Sequence, residues 1–442
     1  MKLHRYSKFF SSLDKHIFKI AIPLVFSNLS VPLVGFVDNA VLGHLDSPIY
    51  LASAGLGAII MSYILFSFGF IKSITTGYIS QQDHLSIEKA VSTIYQILVI
   101  SLFISLILIL FKSFLIEQLL FILGNPGQIN QNASVYLDIR FWSIPAIFMR
   151  DIFIGYLIGI KKTAMAMKIL ILINMLNIIL DYFFVYILFM NIEGVAYASL
   201  ISESSIFIFI LYFIAKNKIF LNKNIFLASL RKLSNIKNKL IVNGNMFIRS
   251  VILMTCFAHF MSLSASYGEI VLAANTILLN FFFIFSYGID AFAHATEVMV
   301  GNSVGQRDIN KYDMTIKSSF KYTFLLLFLF LSVFFVFSTD IISMITSHED
   351  VIYSAQQNII YLFFIVSLGS IAFCIDGVLI GGLQHIKIRN IMIYSGIIYF
   401  ICMVILSPSK PYSIWYPFVV FFISRSILLF FSMAQIRRTL FR

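Results

Sequence analysis

Asp38 lies in the stretch from Pro23 to Asp46, PLVFSNLSVPLVGFVDNAVLGHLD, which is almost wholly apolar up to its polar exit at His44. A carboxylate inside a hydrophobic span costs about 2.5–3.5 kcal/mol to insert, so its default reading is functional. A second polar set, Asn174, Asn177 and Asp181, falls at i, i+3 and i+7, on one helical face. Ser199 and Glu203 form a third, at i and i+4. Counted from the outer ends of their helices, Asp38, Asp181 and Ser199 lie at one depth, on the order of 9–15 Å at helical rise. A shared pocket would explain that depth. Two carboxylates close together in low dielectric do not both stay ionised cheaply, so the pair is expected to share an exchangeable proton. As interhelical hydrogen-bond glue, the asparagines and Ser199 would each contribute about 0.6 kcal/mol, and for them that reading stays open beside the functional one. Asn174 and Glu203 are supporting candidates.

The second half of the chain carries its own polar set. Asp290, His294 and Glu297 share one helical face, Asp376 lies further on, and Arg249 precedes them. Arg249 with acids at comparable depth reads first as a structural ion-pair network. His294 between two acids is placed to titrate near neutral pH, although such a histidine is more often a satisfied hydrogen-bonding group. Arg150, Asp151 and Arg425 read as members of similar networks. Pro23 and Pro32 each remove a backbone donor, which makes the helix carrying Asp38 a candidate hinge.

These residues need helices to hold them, and the composition supplies helices of one kind. Hydrophobic residues make up 60% of the 442 and the mean hydropathy is +0.92, against roughly 45–50% apolar content in soluble domains. Apolar runs long enough to cross a bilayer occur near 17–43, 51–80, 91–122, 133–160, 164–190 and 194–215. After a polar stretch from Lys216 to Lys239 they resume near 240–265, 270–304, 317–345, 352–382, 388–406 and 412–436. The balance of 32 Lys+Arg against 20 Asp+Glu, net +12, gathers at alternate loops. The positive-inside rule therefore puts both termini in the cytoplasm, and the charge reads as loop charge rather than as a nucleic-acid footprint. The basic N-terminus is not followed by a small-residue cleavage site, so the first run reads as an uncleaved helix. Cys256, Cys374 and Cys402 lack CxxC spacing, and no Walker A, HExxH or GxSxG motif supports ATP-driven or hydrolytic chemistry.

The chain repeats itself. Leu51-Ala52 and Leu272-Ala273 stand 221 residues apart, and GYLIG at Gly155–Gly159 matches GVLIG at Gly377–Gly381 at nearly the same offset. Six spans per half relates the halves by an axis along the membrane normal, an architecture that transports by alternating access. The expected fold is an all-α integral membrane protein with twelve transmembrane helices in two pseudo-symmetric six-helix bundles. Residues 1–215 form one lobe, 216–239 a cytoplasmic linker and 240–442 the other lobe.

VDNAVLGHLD, LASAGLG, NMLNIILD and GVAYAS in the first half are similar to segments of the multidrug and toxic compound extrusion (MATE) family. FIRS at Phe247–Ser250, VLAANTILLNF, YGIDAFAHATE at Tyr287–Glu297 and IDGVLIG at Ile375–Gly381 resemble its DNA-damage-inducible F (DinF) branch. The resemblance implies two six-helix bundles arranged as a V and cation-coupled efflux of organic, often cationic, compounds from a cytoplasmic membrane. It also implies a proton or cation site at Asp38, Asn177 and Asp181. Ser199 stands where relatives often have threonine. Sodium at Asp38, Asn177 and Asp181 is the alternative coupling ion. The acid some relatives use for sodium in the seventh span is missing between Asn243 and Ser266, which favours protons. No cofactor and no nucleic acid is expected, and a monomer is. Two other readings remain at this stage: a lipid-linked precursor flippase of the same superfamily, and a membrane-embedded enzyme or scaffold.

Overall fold

The computed structural model describes residues 12–43, 48–82, 87–123, 127–231, 233–343, 349–406 and 410–440. Lys2, Arg5, Lys8, Lys232, Arg442 and the exit from His44 to Ser47 lie outside them. Among the described residues the backbone is helical and holds no strand. In hydrocarbon a helix satisfies its own N–H and C=O groups, which is why so apolar a chain adopts it.

The chain divides into two compact units. One runs from Phe26 to Asn243. The other takes Gly244 onward together with the chain up to Val25, so the division falls between Pro23 and Pro32.

The first unit contains most of α1 (Ser12–Gly43), then α2 (Pro48–Phe68), α3 (Phe70–Gln82), α4 (Ile87–Leu110), α5 (Lys112–Leu123), α6 (Gln128–Phe141) and α7 (Ile144–Gly159). It continues with α8 (Thr163–Tyr182), a π-helical turn (Phe183–Ile187), α9 (Ile192–Ser204), α10 (Ile206–Lys216), a 3₁₀ turn (Lys218–Leu221) and α11 (Lys223–Arg231). The second unit is built from α12 (Leu233–Ser266), which it enters at Gly244, α13 (Glu269–Gly305), α14 (Ile309–Ser343), α15 (Glu349–Gly381), α16 (His385–Leu406) and α17 (Trp415–Leu440).

Ten helices, some of them continuous pairs, are long and apolar enough to cross a membrane. An eleventh span is the pair α6 and α7, bent by 49° at its break. Pro145 explains the bend, since it offers no N–H to the carbonyl of Phe141. α1, 32 residues long, stands where the sequence places the first of the twelve expected spans.

The repeated glycine motif has the same use in both units. A Cβ on Gly155 would come within 2.6 Å of the Lys72 carbonyl, and one on Gly159 within 2.8 Å of the Ile79 side chain. Thr76 Oγ1 exploits this closeness by donating to the Gly155 carbonyl at 3.2 Å. In the second unit a Cβ on Gly381 would reach the Glu297 carbonyl at 2.5 Å, and one on Gly377 would collide with the Ala293 carbonyl. The fourth span thus seats on the second, and the tenth on the eighth. The core of the second unit is aromatic: Phe260 stacks on Phe418 with centroids 4.6 Å apart and meets Trp415 edge-on at 4.7 Å. The Trp415 indole N–H donates to Asn275 Oδ1 at 3.1 Å, which lets so large a polar-tipped ring be fully buried.

Candidate functional site

The site of the first unit forms where α1, α6, α8 and α9 meet. Asp38 of α1 and Asp181 of α8 come within hydrogen-bonding reach of each other. Among the described residues, both oxygens of Asp181, and Oδ1 of Asp38, are buried without any N–H or hydroxyl donor. An ionised carboxylate only accepts, so two of them hydrogen-bond each other only when one carries a proton. Asn177 lies one turn before Asp181. Its Nδ2 donates to Ser199 Oγ of α9 in a long contact of 3.4 Å, and its Oδ1 is buried and unpartnered.

α6 adds two groups that the sequence reading did not single out. Arg140, 8% exposed, lies within Coulombic range of both Asp38 and Asp181. Its guanidinium bonds the hydroxyl of Tyr136, and its Nη1 donates to Ser143 Oγ at 3.3 Å. Tyr136 itself is within range of both carboxylates. The signal for Arg140 was present in the sequence: an arginine in a span, one turn after a tyrosine. Its neighbours Asn130, Asn132 and Asp138 disguised it as part of a polar helix start.

The end of α8 is held by its π-turn. Tyr186 donates its hydroxyl to the Val41 carbonyl of α1 at 3.1 Å, one turn beyond Asp38. The widened turn and this bond fix α1 against α8 at the level of the carboxylates. Such π-turns recur at functional sites.

The remaining predicted residues go elsewhere. Asn174 donates to Ser30 Oγ on α1 at 2.7 Å. Glu203 accepts from Arg150 Nη1 at 2.5 Å, and Arg150 also bonds Asp151 at 3.1 Å. Both bonds lie outside the group around Asp38 and Asp181. α1 continues as one helix through Pro23 and Pro32.

In the second unit Asp376 is the hub. Its Oδ2 accepts from Arg249 Nη2 at 2.6 Å and also from Arg425, whose side chain is 1% exposed. Asp290 is within Coulombic range of Arg425. His294 Nδ1 lies 3.1 Å from Glu297 Oε2. Arg249, Asp376 and Arg425 therefore form one buried ion-pair network, in which a single carboxylate oxygen holds two guanidiniums.

The MatE family model matches residues 23–183 and, a second time, 246–409. The chain belongs to the MatE family. The two matched stretches begin at 23 and 246, close to the spacing of the repeated motifs, so the repeat is a property of the family's module. Among curated proteins, DNA damage-inducible protein F of Escherichia coli K12 is 28% identical over 432 residues, covering 95% of this chain and 92% of that protein. Multidrug export protein MepA of Staphylococcus haemolyticus is 27% identical over 215 residues, 47% of this chain and 46% of that one. Among solved structures, a MOP superfamily transporter from Pyrococcus furiosus superposes with TM-score 0.84 at 19% identity, covering 98% and 97% of the two chains. An aspartate mutant of the Vibrio cholerae MATE transporter VcmN gives 0.83 at 20%, covering 97% and 98%. These structures share the MatE fold over essentially the whole chain.

Proposed function

We propose that this protein is a proton-coupled antiporter that exports organic, often cationic, compounds across the cytoplasmic membrane by alternating access. Asp38 and Asp181 carry the coupling proton, with Asn177 and Ser199 as neighbours. One observation carries the reading: two buried carboxyl groups face each other with no donor among the described residues for three of their four oxygens. A proton shared between them repairs that deficit, and an arriving organic cation competes for the same negative charge. Names of relatives such as multidrug export protein support the substrate class.

A sodium ion at the same place would find oxygens from Asp38, Asp181 and the unpartnered Asn177 Oδ1. Arg140 disfavours a bound sodium ion and a carboxyl proton alike, so the preference for the proton rests on the missing acid between Asn243 and Ser266. A flippase for lipid-linked precursors would need a basic cavity for pyrophosphate, whereas this pocket sets two carboxylates against one guanidinium. An embedded enzyme would show no substrate flux. The domain reading, 1–215 and 240–442 as two six-helix lobes with both termini cytoplasmic, belongs to the same proposal.

The test is efflux of a cationic dye from proteoliposomes under an imposed pH or sodium gradient. Wild type is expected to respond to the pH gradient, and Asp38→Asn and Asp181→Asn to fall to the protein-free background while remaining folded. Wild-type rates in either variant would remove that residue from the mechanism, and flux driven by sodium alone would replace the proton.

A further inference from the structure

The linker after α10 is not a free loop. The carbonyl of Phe220 in the 3₁₀ turn accepts a hydrogen bond from the Tyr95 hydroxyl of α4, and the Phe220 ring meets Phe213 and Tyr156 edge-on at 5.6 and 5.8 Å. From α11, Phe226 packs on Tyr95 at 5.2 Å, and the Ser229 carbonyl accepts from Gln96 Nε2 at 2.9 Å. Beneath this seat a shallow, open-sided crevice runs along α4, α7 and α10. Ile94, Leu98, Phe153, Ile210 and Ile214 wall it, and Phe220 caps it. Its walls are hydrocarbon, and its depth is that of the membrane-spanning parts of α4 and α10.

The chain that carries Phe220 is basic. Lys216 ends α10, Lys218 opens the 3₁₀ turn and Lys223 opens α11, all three exposed. Lys161 and Lys162 follow the end of α7, and Lys89 stands in the first turn of α4 beside Glu88. An apolar slot at bilayer depth takes an acyl chain. A lysine-rich stretch at the membrane surface takes a phosphate headgroup, at about 1 kcal/mol per basic residue. A cationic amphiphile of the kind proposed as substrate would be repelled at the same place.

We propose that this crevice is a binding site for one anionic phospholipid, with an acyl chain between α4, α7 and α10 and its phosphodiester held by Lys216, Lys218 and Lys223. The bound lipid completes the seat of residues 217–231 on α4. This site is separate from the carboxylate pair and does not depend on the efflux reading.

The experiment adds dioleoyl phosphatidylglycerol or dioleoyl phosphatidylcholine to the purified full chain in detergent. It records thermal unfolding, and lipid retained by native mass spectrometry. Phosphatidylglycerol is expected to stabilise at about tenfold lower concentration than phosphatidylcholine. The triple variant Lys216→Gln, Lys218→Gln, Lys223→Gln should lose that preference, and Ile210→Trp, which fills the slot, should lose the retained lipid. Should Ile210→Trp not fold, the surface triple variant decides by itself. Equal stabilisation by the two lipids, or an undiminished preference in the triple variant, overturns the proposal. So does displacement of retained phosphatidylglycerol from wild type by tetraphenylphosphonium, which would make the crevice a substrate site.

Discussion

Asp38 and Asp376 are both acids buried in a membrane-spanning helix, yet their surroundings differ in kind. Asp376 is held by two guanidiniums, Arg249 and Arg425. Removing its charge leaves two buried cations without their partner, and breaking a buried pair from one side costs about 3–5 kcal/mol. Asp376→Asn is therefore expected to lower the thermal unfolding temperature in detergent markedly. Asp38→Asn, whose Oδ1 has no donor to lose, should unfold at the wild-type temperature or above. Equal stability losses in the two variants would refute the distinction. The acids themselves were legible in the sequence because an ionisable group in an apolar run stands out by type alone. What each acid meets was not. Glu203 shared the helix of Ser199 and the expected pocket, but Arg150, far away in sequence, takes it at 2.5 Å. Arg140 was hidden for the opposite reason: polar neighbours made a buried guanidinium look like an ordinary helix start.

At the scale of the element, α1 and α8 decide how the carboxylate pair is presented. Span positions and the glycine pairs could be read ahead, because hydropathy and small-residue spacing are local properties. The π-turn after α8 could not, since FFVYI is as compatible with an ordinary α-turn; the Tyr186 bond to Val41 across to α1 is part of what sets it. The bend between α6 and α7 is in retrospect a proline effect at Pro145. Pro32 has the same chemistry in α1, where it offers no N–H to the Asn28 carbonyl. α1 nonetheless runs continuously here. The weak point is expected to act when the charge on Asp38 changes, because protonation replaces an acceptor by a donor and so changes the best local partners. A proton shifts a helix between straight and bent forms only if it binds them unequally; one pK unit of difference is worth about 1.4 kcal/mol. A spin-label distance from position 26 to a fixed site on α8 should therefore change between acid and alkaline pH in the native chain. It should change much less in Pro32→Ala, with proton binding retained. A native distance indifferent to pH would end the bending idea even if Asp38 proves essential.

At the scale of the whole molecule, the same module is used twice, and an even number of spans in each copy gives both the same orientation in the bilayer. That parity makes loop charge a test of the fold. The stretch from Lys216 to Lys239 joins the two copies and carries Lys216, Lys218, Lys223, Arg231, Lys232, Lys237 and Lys239. The turn between α8 and α9 carries Asn191, and the first turn of α9 carries Glu193, instead. Retention of basic loops on the cytoplasmic side is expected to put the linker inside and that turn outside. Lys223 and Glu193 are both exposed, so either position accepts a label without disturbing packing. The native cysteines are first replaced by serine; Cys256 and Cys374 are buried and Cys402 is partly so. On that background a membrane-impermeant maleimide added to intact cells should label Glu193→Cys at once and Lys223→Cys only after permeabilisation. The reverse pattern would invert the protein in the membrane. Labelling of both positions from outside would mean an even number of crossings between them, which the single span from Ile192 to Lys216 does not allow.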